Sequence, residues 1–129
     1  MAGTFTYAVD LQSINTTYNN VTTSASSQGI ETPRGRNFLF SYRLQSSGTP
    51  TRLRISVEFK RSADSNWYEL DESFFSRVEH EATEVASSGK RYCITGPAVG
   101  EMIRITVSST GTSASNTFTM SEGALAFKD

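Results

Sequence analysis

Arg52-Leu53-Arg54-Ile55-Ser56-Val57-Glu58-Phe59-Lys60 is the stretch whose reading decides the fold. Leu53, Ile55, Val57 and Phe59 alternate with Arg54, Ser56, Glu58 and Lys60, the period-2 pattern of a strand with one face buried and one in water. A one-residue slip would expose all four apolar side chains, so the register of this strand is strongly specified. Upstream, across the polar loop Ser46-Ser47-Gly48-Thr49-Pro50, Phe38, Phe40, Tyr42 and Leu44 alternate with Leu39, Ser41, Arg43 and Gln45. Downstream, Ala63-Asp64-Ser65-Asn66 has the composition of a turn, and Trp67-Tyr68-Glu69-Leu70 returns as a short strand. Residues 37–70 are therefore expected to form an antiparallel meander.

The same alternation recurs further out. Phe5, Tyr7, Val9 and Leu11 alternate with Thr4, Thr6, Ala8 and Asp10. Tyr92-Cys93-Ile94-Thr95 and then Ile103, Ile105 and Val107 give two more strands, separated by the Gly96-Pro97-Ala98-Val99-Gly100 turn. Phe118 and Met120, then Ala124 to Phe127, predict a C-terminal strand that pairs back into the sheet. The change of phase at Glu122-Gly123 marks a bulge or a break. Residues 74–86 fit a helical stripe through Phe74, Val78, Ala82 and Val85, and also a strand face through Phe74, Val78 and Ala82. The surrounding strands favour strand. The sum is about eight strands in a single domain, residues 1–129. The expected fold is all-β, an antiparallel two-sheet sandwich resembling a jelly roll.

Residues 12–32 differ from the rest. Asn, Thr, Ser and Gly dominate, with Ile14, Tyr18, Val21 and Ile30 as isolated apolar anchors, and a turn at Pro33-Arg34-Gly35-Arg36 follows. Structureless connections of this length are uncommon inside compact domains and are usually functional. The segment 12–36 is accordingly expected to be a long loop or arm lying on a partner. Tyr18, Val21, Ile30, Arg34 and Arg36 are its candidate contacts.

Composition excludes several classes of function. With 12 basic and 13 acidic residues interspersed and a net charge of −1, no field of one sign exists to attract a phosphate backbone, so nucleic acid is not an expected partner. Ser and Thr supply about a quarter of the chain, a strand-and-turn composition. The single cysteine, Cys93, rules out an internal disulfide framework and fits a reducing cytoplasm. Met1 to Tyr7 lacks the charged and apolar regions of a signal peptide, and no apolar run is long enough for a membrane helix. The Asn-x-Thr sequons at Asn15 and Asn20 then read as coincidences of a Thr-rich segment.

Catalytic chemistry finds little support. His80 is the only histidine, no nucleophile elbow accompanies it, and one His with one Cys is too few for a tetrahedral zinc site. It reads as a structural histidine. Carboxylates near one another, Glu79, Glu81 and Glu84 or Asp71 and Glu72, are the residue types a glycosidase uses, but they also suit an exposed strand face. Asp64, Asp71 and Glu72 lack the spacing of a calcium loop. No catalytic residue, cofactor or metal site is assigned. Trp67 and Tyr68 are candidates for stacking on a ligand; adjacent strand residues point to opposite faces, which predicts that Trp67 enters the core and Tyr68 stays outside.

The Thr/Asn-rich segment, the hairpin Arg61-Ser62-Ala63-Asp64-Ser65-Asn66-Trp67-Tyr68-Glu69-Leu70, and the pairing of Ile103-Arg104-Ile105-Thr106-Val107 with Phe118-Thr119-Met120 together resemble small virion structural proteins of tailed bacteriophages. The resemblance implies a capsid decoration (cement) protein that binds and stabilises the outer capsid surface. Its partners would be the major capsid protein or other virion subunits. It would be a homo-oligomer, with self-association around a local threefold axis, in virions assembled in the host cytoplasm. The alternative is a carbohydrate-binding or tail- or neck-associated sandwich module that uses Trp67 and Tyr68.

Overall fold

The computed structural model describes residues 9–33, 36–69, 77–82, 85 and 87–128. Among the described residues eleven strands run in the order β1 (Val9–Asp10), β2 (Thr17–Tyr18), β3 (Ser24–Ser26), β4 (Ile30–Glu31), β5 (Asn37–Ser47), β6 (Arg52–Lys60), β7 (Tyr68–Glu69), β8 (Arg77–Glu81), β9 (Lys90–Pro97), β10 (Met102–Thr110) and β11 (Thr117–Lys128). No helix occurs among the described residues. One sheet has the order β1-β11-β5-β9, with β2 also on β11; the other has the order β3-β10-β6-β7, with β4 on β10 and β8 on β6. The pairings are antiparallel. The expected all-β two-sheet sandwich is the observed architecture. The larger strand number comes from pieces of two or three residues, too short to carry a periodicity.

The alternation read from sequence is what closes the sandwich. Phe38, Phe40 and Leu44 of β5, with Phe118 and Leu125 of the adjoining β11, face Leu53, Ile55 and Val57 of β6 and Ile103 and Ile105 of β10, all essentially inaccessible to water. Phe38 and Phe59 meet across the two sheets with ring centroids 6.1 Å apart and tilted 59°, a favoured aromatic geometry.

The expected meander over residues 37–70 is corrected in one respect. Strands β5 and β6 lie in different sheets, so the Ser46–Pro50 loop crosses the sandwich instead of closing a hairpin. Both strands bury one apolar face, and stacking the two faces hides more apolar surface than placing the strands edge to edge. The closing pair β10 and β11 is divided between sheets in the same way. The β6–β7 hairpin does form, with Phe59 opposite Tyr68 and Glu58 opposite Glu69. In the ambiguous stretch, 77–81 is strand β8, paired with β6; residues 71–76, including Phe74, and residues 83, 84 and 86 lie outside the described residues. So do residues 1–8, most of the first expected strand.

The expected arm is also corrected. Leu11, Ile14 and Tyr18 are completely buried, and the Tyr18 hydroxyl donates to the Ile14 carbonyl at 2.8 Å. Burial pushes the Tyr18 phenol up from its ordinary pKa. From there the chain runs along β11 as β2 and along β10 as β3 and β4, with Ser27 exchanging hydrogen bonds with the Ile105 backbone. The segment is therefore a set of short strands on the sheet edges. Edge strands tolerate polar residues because one side of the ladder faces away from the sheet, so an edge strand and a loop have the same composition here.

The phase change at Glu122-Gly123 is a register shift between Ser121 and Ala124, with Glu122 at φ 57°. Asn15 seats in it: Asn15 Nδ2 donates to Gly123 O at 3.2 Å, and Gly123 N donates to Asn15 Oδ1 at 2.8 Å. A Cβ on Gly123 would stand 2.6 Å from that Oδ1. Gly123→Ala is expected to break both bonds and destabilise the domain by about 1–3 kcal/mol, read as a lowered midpoint in chemical denaturation with an unchanged slope.

Candidate functional site

At one end of the sandwich three connections converge: the chain leaving β4, the β6–β7 turn and the β9–β10 turn. Glu31, Thr32, Arg61, Ser62, Val99 and Glu101 line an open groove of about 800 Å³ there. A hollow of about 360 Å³, edged by Phe59, Lys60, Asp64 and Tyr68, adjoins it through Arg61, Val99 and Gly100. The walls are stitched together. Thr32 N donates to Glu101 O at 2.9 Å and the Thr32 hydroxyl donates to Gly100 O. Ser62 N donates to Glu101 Oε1 at 3.0 Å.

The turn itself is held by a fork. Arg61 Nε and Nη2 donate to Asp64 Oδ2 and Oδ1, each at 3.0 Å, and Lys60 Nζ donates to the Asp64 carbonyl at 2.9 Å. The hydrogen bonds from Arg61 hold the Asp64 carboxyl below its ordinary pKa, and the same pair raises that of Arg61. A depressed carboxyl pKa means that the pair is complete above the ordinary carboxylate range and is lost only as pH falls through the lowered value. The fork is thus expected to be unchanged between about pH 8 and pH 5; ligand affinity followed by calorimetry across that range should show no step from Asp64.

Two apolar groups stand exposed beside these polar ones, Tyr68 at 59% and Val99 at 54% of their accessible surface. Tyr68 lies opposite Phe59, on the inward side of its sheet, yet β7 is an edge strand at the end of the sandwich. Its ring consequently edges the hollow. Trp67 takes the opposite face, and the expectation that it enters the core is corrected. It is half-buried on the outer face of the sheet, its centroid 5.1 Å from Lys60 Nζ and 4.7 Å from the Arg104 guanidinium carbon. Cations at such distances are attracted to the ring. A Cβ on Gly29 would stand 3.0 Å from Trp67 Cζ2, so the absent side chain lets the indole pack against the strand that leads to Glu31. Trp67 thereby braces one wall of the groove against the other.

The candidate arm contacts do not come together. Tyr18 is in the core and Ile30 packs against it, Val21 is 85% exposed, and Arg36 is half-buried with its carbonyl accepting from Ala98 N at 3.0 Å. Arg34 lies outside the described residues. Tyr18 is corrected as a partner contact, since its side chain is wholly inside the core, whereas Ile30 is only partly buried. Among the carboxylates considered for catalysis, Glu79 is paired with Arg52 at 3.6 Å on the surface, and Asp71, Glu72 and Glu84 are outside the described residues. His80 is buried, with Nε2 2.6 Å from the Tyr42 hydroxyl and its ring against Tyr92 at 4.4 Å. Among the described residues no group of three His, Cys, Asp or Glu is placed to hold a metal ion.

Glu31, Val99 and Glu101 were not singled out by sequence reading. Glu31 lies some 70 positions from Val99 and Glu101 in the chain, and the pairing of β4 with β10 brings it to them. The Gly96–Gly100 turn was the one local sign.

No family model matches this sequence, and no curated protein matches it. Solved structures do resemble its fold. A family 4 carbohydrate-binding module superposes with a TM-score of 0.56 at 12% identity, over 81% of this chain and 60% of that one. A family 61 module in complex with β-1,4-galactotriose gives 0.50 at 19% identity, over 80% and 63%. The C-terminal family 6 module of LamC, a marine laminarinase from Zobellia galactanivorans, gives 0.50 at 12% identity, over 98% and 100%. This chain has the fold of these modules. It spans less than two thirds of the length of the first two. The capsid-decoration expectation is overturned here: these similar structures are carbohydrate-binding modules and not virion proteins.

Proposed function

We propose that this chain is a non-catalytic carbohydrate-binding module whose ligand lies in the groove between the β4, β6–β7 and β9–β10 connections. The observation that carries the reading is the exposed Tyr68 ring beside the Arg61–Asp64 fork at the edge of that groove. A sugar ring has apolar C–H faces and a polar rim of hydroxyls. Tyr68 and Val99 offer apolar contact to the faces, while Arg61, Ser62, Glu31 and Glu101 offer donors and acceptors to the rim. The fold likeness to sugar-binding sandwiches supports the same reading.

Affinity electrophoresis through gels containing soluble β-glucan, galactan, xylan or mannan tests it. The expected result is retardation by at least one polysaccharide relative to a gel without any. Identical mobility across the whole panel would count against the proposal.

A further inference from the structure

Resting on that reading of the groove, we infer that it takes uncharged glycans and turns away polyanionic ones, with Glu31 and Glu101 as the discriminating residues. Three carboxylates, Glu31, Asp64 and Glu101, and two cations, Lys60 and Arg61, line the groove and its adjoining hollow. Both cations are engaged. Arg61 holds Asp64 through two hydrogen bonds, and Lys60 donates to the Asp64 carbonyl while approaching the Trp67 ring at 5.1 Å.

Asp64 is thereby neutralised, and Glu31 and Glu101 are not. Both are exposed, neither has an ion-pair partner among the described residues, and Glu101 accepts a single backbone N–H from Ser62. Carboxylate oxygens accept strong hydrogen bonds from sugar hydroxyls. A uronate or sulfate group entering the same groove meets a lining that, among the described residues, carries three carboxylates against two cations, both of which already donate to Asp64. That difference is worth about tenfold or more in affinity at low salt.

Calorimetric titration of the full chain in low salt, with neutral gluco-, galacto- and xylo-oligosaccharides and with oligogalacturonate and oligomannuronate, provides the test. The wild-type chain is expected to bind its best neutral ligand at least about tenfold more tightly than either oligouronate, and added salt should narrow the gap. In the double variant Glu31→Gln, Glu101→Gln, the ratio of neutral to acidic affinity should shrink about tenfold. Equal affinity of the wild-type chain for an oligouronate, or an unchanged ratio in the double variant, would overturn the charge selection while leaving carbohydrate binding standing. Failure to bind either class would overturn carbohydrate binding itself, and the selection with it.

Discussion

Tyr68→Ala is expected to weaken glycan binding by at least about tenfold, or ~1.4 kcal/mol, with the fold intact. The reason lies in the division of labour along β7. Tyr68 keeps 59% of its surface in water and contributes its ring to the hollow, whereas its backbone pairs with Phe59, a contact that alanine retains. Exposed substitutions of this kind usually change stability by no more than about 0.5 kcal/mol. The loss should therefore appear in calorimetric affinity and leave the denaturation midpoint in place. Tyr68→Phe, which preserves the apolar face, should bind far better than the alanine variant. Equal affinities for alanine and tyrosine would remove Tyr68 from the site.

The second large effect concerns the segment that composition assigns to an arm. Tyr18→Ala is expected to destabilise the domain by about 3–5 kcal/mol, because it removes a fully buried ring and leaves a cavity. That is a large part of the roughly 5–15 kcal/mol that holds a typical domain together. Tyr18→Phe removes only the hydroxyl. The Ile14 carbonyl that accepted it still accepts from Thr16 N at 3.0 Å, so the cost should be about 0.5–1.5 kcal/mol. Deleting residues 12–32 would strip β2, β3 and β4 from β11 and β10, and no cooperative unfolding transition is expected to remain. If Tyr18→Ala unfolds within 0.5 kcal/mol of wild type, the segment behaves as an arm and the packing described above is wrong.

Particular residues show what was legible in sequence. The inward sets Phe38 to Leu44, Leu53 to Phe59 and Ile103 to Val107 could be read one residue at a time, since strict alternation over five to seven residues has one physical solution. The Glu122-Gly123 irregularity was legible for the same reason, as a break in that alternation. Sheet membership was not. Two amphipathic strands joined by a short polar loop can lie side by side or face to face, and the loop composition around Gly48 suits either. Trp67 and Tyr68 show a finer limit. Opposite faces followed from the strand geometry, but which face is covered depends on Lys60 and Arg104 lying against the indole and on the sandwich ending beside Tyr68. The groove was invisible because Glu31, Arg61 and Glu101 share no local pattern and meet only through pairing of distant strands.

Backbone amide shifts recorded by NMR during titration with the neutral oligosaccharide that binds best would test the central claim most directly. Binding at the proposed groove predicts that the largest changes fall on residues 31–32, 61–69 and 98–101, while the outer face of the other sheet, at Ser41, Arg43 and Cys93, stays unperturbed. Changes centred on that outer face, with the groove residues still, would contradict the account.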